Sequence, residues 1–305
     1  MASKWIPLET PDLPATRFAA DVLRLRLDDI QERLPLAAHE YRQDIEHVHA
    51  LRVSCRRASA ALKAFRPLMQ GKPRSLVKLL KRLRKAAGPA RDTDVMLARI
   101  KRKTKKTEDR AQLDFLLARL KRARRRAQKV LLEVEAQTDG RKLERGLKKC
   151  LALLPQRHDS PDNQTVEEFA RGALRVASRE MFQKASQSQP TIGQLHELRI
   201  AGKRLRYSIE LFSGAFPTAL RSDVYPLVEK LQTRLGTLND HATAQAFYQR
   251  WLTKRPTNAR VAYLAGRIAA EHDAALAGRR RFLKWWTPKR VATLESRLAE
   301  LIDGS

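Results

Sequence analysis

The sequence predicts an all-α protein built from two similar helical halves. Leu, Ala, Arg and Lys dominate, and Gly occurs only 12 times in 305 residues, a composition that favours helices. Apolar residues recur at helical spacing between breaks marked by Pro and Gly. The segment His49-Ala-Leu-Arg-Val-Ser-Cys-Arg-Arg57 returns as His196-Glu-Leu-Arg-Ile-Ala-Gly-Lys-Arg204, and Phe65 returns as Phe212. The displacement of 147 residues is close to half the chain.

In chain order, helices are expected near 14–34, 42–66, 73–87, 91–104, 108–137 and 140–154. They continue near 164–186, 191–213, 220–236, 239–254, 258–284 and 288–302. Pro67, Gly71-Lys-Pro73, Gly88-Pro89, Asp139-Gly140, Pro155, Pro190, Pro217 and Pro256 punctuate them. In 108–137, Leu113, Leu116, Leu117, Leu120, Ala127, Leu131 and Val134 form an apolar side, and Arg119, Arg122, Arg126 and Lys129 are expected in solvent. Thr191-Ile-Gly-Gln194 has capping-box spacing, which sets His196 in the opening turns of its helix. A second repeat, Gly88-Pro-Ala-Arg-Asp92 and Gly236-Thr-Leu-Asn-Asp240, reads as a helix end followed by an Asp cap. The alternative is that Asp92 and Asp240 orient nearby basic groups through hydrogen bonds. Residues 155–163 are the most loop-like stretch, so the halves are expected at 14–154 and 164–302. Short connections favour antiparallel bundles of about four main helices each, together one domain.

Charge narrows the partner. Lys and Arg number 62 against 33 Asp and Glu, a formal net charge of +29. This excess points to a polyanion, while 43% hydrophobic residues still support a folded core. Cys55 and Cys150 fit neither a disulfide framework nor a metal spacing, and no stretch is apolar enough to span a membrane. The expectation is a soluble cytoplasmic protein with no cofactor and no metal site.

The repeat places its charges on one helix face. With His49 at zero, Arg52, Arg56 and Lys63 fall within about 60° of it, while Leu51, Ala58, Leu62 and Phe65 lie opposite. His196, Arg199, Lys203 and Arg206 form the second stripe, backed by Leu198, Leu205, Ile209 and Phe212. From His49 to Lys63 the stripe runs about 21 Å. An ordinary solvated face would mix signs, yet no acidic residue lies between His49 and Phe65.

The paired His-x-Leu-Arg-[Val/Ile]-x-x-[Lys/Arg]-Arg segments, each followed by Gly-x-x-[Arg/Asn]-Asp, resemble the CHAD family, the conserved histidine α-helical domain. The resemblance covers roughly residues 14–302. It implies two four-helix bundles related by a pseudo-twofold axis, with a basic groove or pore between them that binds inorganic polyphosphate. Some family members locate to polyphosphate granules. The resemblance assigns His49, Arg52, Arg56, Arg57 and Lys63 to one face and His196, Arg199, Lys203 and Arg206 to the other. Arg82, Arg91, Arg204 and Lys230 are expected to extend them. Lys63 becomes Glu210 and Arg91 becomes Asn239 in the second copy, so the faces are not equivalent.

Weak, sequence-independent nucleic-acid binding is expected from the charge, but a dedicated nucleic-acid role is not. The chain has only 18 aromatic residues, and Tyr207 alone lies in a stripe. Catalysis is not expected either. Glu133-Val-Glu135-Ala-Gln137 lacks the Lys of a triphosphatase element. Gly202-Lys203 is followed by Arg204 rather than the Ser or Thr of a P-loop, and His39, His47 and His49 do not have zinc-protease spacing. An acidic protein partner stays open as a third reading.

Overall fold

A computed structural model of the protein describes residues 4–103, 110–138, 140–155, 164–253 and 257–304. Regular structure among the described residues is helical, apart from an isolated antiparallel bridge between Pro14 and Thr165. The helices are α1 (Ala15–His39), α2 (Glu46–Ala64), α3 (Arg74–Lys103), α4 (Arg110–Ala136) and α5 (Gly140–Leu151). They continue as α6 (Val166–Ala185), α7 (Ile192–Phe212), α8 (Tyr225–Leu252), α9 (Asn258–Trp285) and α10 (Pro288–Asp303). Two compact units result: Leu13–Thr165, and Lys4–Asp12 together with Val166–Ser305.

In the first unit α2 packs on α1 and α3, α4 lies along α3, and both α4 and α5 return to α1. The interior follows from the apolar stripe of α2. Leu51, Ala58, Leu62 and Phe65 are all buried, facing Leu76, Leu80 and Leu83 of α3 and Phe18 of α1. In the second unit α7 packs on α6 and α8, α9 lies along α8, and α10 returns to α6. The interiors repeat in detail: Phe18 meets Phe65 edge-on at 6.0 Å, and Phe169 meets Phe212 edge-on at 5.9 Å. Burying each such ring contributes about 1.5–3 kcal/mol.

Three expectations need correction. Gly88-Pro89 does not separate two helices, because α3 runs unbroken through both residues. Pro89 forfeits the hydrogen bond its nitrogen would give the Lys85 carbonyl. The helix persists because Leu83, Ala87 and Ala90 on either side are buried in the core. Likewise Gly236 sits inside α8, which follows directly on a π-helical turn at Leu220–Val224. Neither glycine is left-handed; among described glycines only Gly304, which ends α10, has a positive φ, of 77°. Asp92 and Asp240 therefore cap nothing. Third, the helix expected at 14–34 passes Pro35 and ends at His39. Among its described residues each unit has four longer helices and one shorter one, α5 of 12 residues and α10 of 16.

The Thr191 capping box is present: Gln194 N–H donates to Thr191 Oγ1 at 3.2 Å, and Thr191 N–H to Gln194 Oε1 at 2.7 Å. Of the expected boundary loop, residues 156–163 lie outside the described residues, as do Lys105, Lys106, Asp139 and Pro256. Each long helical hairpin is locked by a buried polar contact. Arg124 of α4 reaches Asp94 of α3 at 2.6 Å and Gln128 at 2.7 Å. Gln128 in turn donates to the carbonyls of Ala37 and Ala38. In α8 and α9, His241 Nδ1 lies 2.7 Å from the fully buried Glu271. Cys55 and Cys150 are both buried thiols, and burial pushes Cys55 up to about 12 and Cys150 up to about 11.

Candidate functional site

The apolar side of α2 is fixed against the core, so its opposite side presents His49, Arg52 and Arg56, all half-buried. Facing them, α3 supplies Arg84, Gly88, Arg91 and Asp92, spaced at roughly one and two turns along one side of the helix. Gly88 leaves room for a guanidinium: a Cβ there would lie 2.8 Å from Arg52 Nη1. Arg52 Nη2 stands 3.8 Å from Asp92, and Arg91 Nη1 stands 2.8 Å from Glu46. Asp92 thus lies within α3 beside the basic group, at ion-pair distance and beyond hydrogen-bond reach.

The guanidiniums perturb one another. Burial lowers the pKa of Arg52, and Arg56, Arg84 and Arg91 lower it further, with Asp92 opposing. Burial also lowers His49 below the usual histidine range; Arg91, Arg56 and Arg52 add to that shift, and Glu46 opposes it. Arg56 Nε is buried without a hydrogen-bond partner among the described residues. Four guanidiniums and a neutral imidazole against two exposed carboxylates make a face that repels protons and cations.

The second face is built on the same plan with weaker charge. His196 Nδ1 lies 3.0 Å from Asn239 Oδ1, which occupies the place of Arg91. Gln232 takes the place of Arg84 and lies under Gly202, where a Cβ would come within 2.5 Å of Gln232 Nε2. Arg199 and Lys203 are half-buried on the same side of α7 as His196. Arg206, expected on this stripe, is half-buried like Arg52 of the first face and has partners of its own. It stands 3.4 Å from Glu210, which accepts a 2.8 Å hydrogen bond from Tyr225 Oη, and it stacks at 5.0 Å over Tyr207. Burial opposes the charge of Arg206, but Tyr207, Glu210 and Tyr225 outweigh it and raise its pKa. Tyr207, buried itself, is no exposed stacking platform.

The outlying expected residues scatter. Lys63 is exposed at the far end of α2 beside a cavity of about 370 Å3. Arg57 is half-buried about 80° round α2 from His49. Arg82 hydrogen-bonds Gln137, and Arg204 pairs with Glu180, so both are engaged away from the His faces. Lys230 lies 6.0 Å from the Trp285 ring, beside Arg234 at 4.7 Å. Arg84 went unrecognised in the sequence, although its spacing of four from Gly88 and seven from Arg91 carried the signal.

The sequence matches the CHAD domain family over residues 21–249. Among solved structures, the CHAD domain from the plant Ricinus communis superposes with a TM-score of 0.72 at 23% identity, covering 92% of this chain and 95% of that one. PptA from Streptomyces chartreusis superposes with a TM-score of 0.62 at 21% identity, covering 90% and 99%. The sequence matches none of the curated proteins compared with it. With three quarters of its length inside the family match, a repeated His-led basic helix in each unit and the same all-α fold, the chain belongs to the CHAD family.

Proposed function

We propose that the protein binds inorganic polyphosphate through the two His-led faces and performs no chemistry on it. The family is one linked to polyphosphate binding. The observation that carries the reading is the group of Arg52, Arg56, Arg84 and Arg91 around His49, in which a buried Arg56 Nε lacks a partner among the described residues. Each phosphate unit of the polymer offers charge and acceptor oxygens but no base, so guanidinium donors suit it and stacking surfaces add nothing. The same inventory supports binding without turnover. The carboxylates at the first face, Asp92 and Glu46, already orient Arg52 and Arg91. Retention on polyphosphate granules is the cellular role this binding supports.

The test is titration of labelled long-chain polyphosphate into the wild type and an Arg52/Arg56/Arg199/Lys203→Ala variant at two salt concentrations, with double-stranded DNA as competitor. Tight binding that survives DNA, with a large loss and a shallower salt slope in the variant, supports the reading. Equal affinity for both polymers, or an unaffected variant, overturns it in favour of general basicity.

A further inference from the structure

The repeat assigns a use to the cavity beside Lys63. Leu62, Pro73 and Val77 give it apolar walls, Lys63, Arg66, Lys72 and Arg74 surround it, and no acidic residue lines it. Val77 is 47% exposed, unusual for a large aliphatic residue flanked by charge. At about 370 Å3 it falls within the ~300–1,000 Å3 range of ligand sites.

The corresponding place in the second unit is filled. Lys63, Pro73 and Val77 correspond to Glu210, Arg221 and Tyr225 in the repeat. Those three residues hold Lys4, Trp5 and Ile6, the start of the segment Lys4–Asp12 of the chain itself. Ile6 N–H donates to the Glu210 carbonyl at 3.3 Å, and Ile6 is buried. Trp5 packs edge-on against Tyr225 at 4.6 Å, with Arg221 over its other neighbourhood at 5.1 Å. Lys4 lies 4.4 Å from the Tyr225 ring and 3.7 Å from Glu229. The fold thus contains one groove occupied by an apolar peptide that places Lys4 beside Glu229, and one open groove of the same origin.

We infer that the open groove of the first unit is a docking site for an extended peptide of another protein that carries acidic residues beside a large apolar side chain. Complementarity sets the sign: Glu229, which pairs with Lys4, corresponds to Lys81 in the first unit, and the lining of the open groove carries Lys63, Arg66, Lys72 and Arg74 with no acidic residue. The apolar walls set the rest, because polyphosphate offers nothing to bury against Leu62 and Val77.

The probe is a fluorescein-labelled Asp-Trp-Ile-Pro-Leu-Glu, the chain's own occupying segment with its Lys replaced by Asp, titrated by anisotropy into the full protein. Controls are Lys-Trp-Ile-Pro-Leu-Glu and an acidic peptide with Ser and Gly in place of Trp, Ile and Leu. Saturable binding at least tenfold tighter than either control is expected. Val77→Tyr fills the groove and Arg74→Ser removes a rim charge, each copying the second unit. Each should weaken the probe at least fivefold while leaving polyphosphate titration and the helical circular dichroism unchanged. Unsaturable binding, equal binding of the apolar-free peptide, or equal loss of polyphosphate and peptide in both variants overturns the inference. The last outcome makes the groove part of the polyanion surface. Should Val77→Tyr fail to fold, Arg74→Ser alone decides.

Discussion

Gly88 of α3 and Arg52 of α2 share one space: a Cβ on the first would lie 2.8 Å from Nη1 of the second. Gly236, its counterpart in α8, meets nothing within 4 Å. Both lie inside helices, where Ala is favoured over Gly by about 0.5–1 kcal/mol. Gly88→Ala should therefore displace a flexible guanidinium without lowering the melting temperature, and weaken polyphosphate binding roughly threefold to tenfold. Gly236→Ala should raise the melting temperature and leave binding alone. Calorimetric titration and thermal melts of the two variants check the contrast.

Asn239 stands where Arg91 stands in the first unit. Asn239→Arg should place a guanidinium beside His196, tighten polyphosphate binding, and steepen its dependence on the logarithm of salt concentration by about 0.7–0.9. An unchanged slope would show that the second face makes no contact with the polymer.

The pKa of His49 lies below the ordinary histidine value of 6.5 in the free protein, through burial first and then Arg91. Phosphates at the face raise it, so binding takes up a proton. Affinity should rise as pH falls toward the free-state pKa, by up to about tenfold per pH unit, and level off below it. His49→Gln should flatten the profile. Stability has its own sign: between the folded pKa and 6.5 the unfolded chain holds more protons, so the free protein loses stability as pH drops through that window. Proton NMR of the imidazole with and without polyphosphate reads both shifts.

Arg124 and Asp94 are both nearly inaccessible and 2.6 Å apart. Arg124→Met strands a buried carboxylate and should cost about 3–5 kcal/mol in urea unfolding. Adding Asp94→Leu should recover most of that loss, because two apolar side chains leave no uncompensated charge.

The helical class and the repeat could be read from the sequence because apolar period and motif displacement are local properties of the chain. The capping box at Thr191 was legible for the same reason. Gly88 misled because a Gly-marked helix end and a Gly-marked close approach look alike in sequence. Only the partner, Arg52, tells them apart, and it lies on another helix. Gly236, by contrast, lies inside α8, where a Cβ would meet nothing within 4 Å. His49, Arg52, Arg56 and Arg91 were legible from spacing on α2 and the second repeat. Arg84 required knowing which side of α3 meets α2. Helical phase sets Arg206 on the stripe but does not reveal Glu210 and Tyr225, which stand beside it.

The irregular segment Lys4–Asp12 belongs to the unit assembled from Val166 onward, although it precedes all of Leu13–Thr165 in the chain. Ile6 leaves the ribosome 219 residues ahead of Tyr225, a delay of roughly 10–45 s at about 5–20 residues per second. The first unit is complete in sequence once Thr165 has been added, 60 residues before Tyr225, and is then free to fold while Trp5 and Ile6 wait without their groove. Synthesis order therefore leaves a short apolar segment exposed on a growing, strongly cationic polypeptide until its partners are made, and its burial against Glu210 and Tyr225 comes after the first unit is complete.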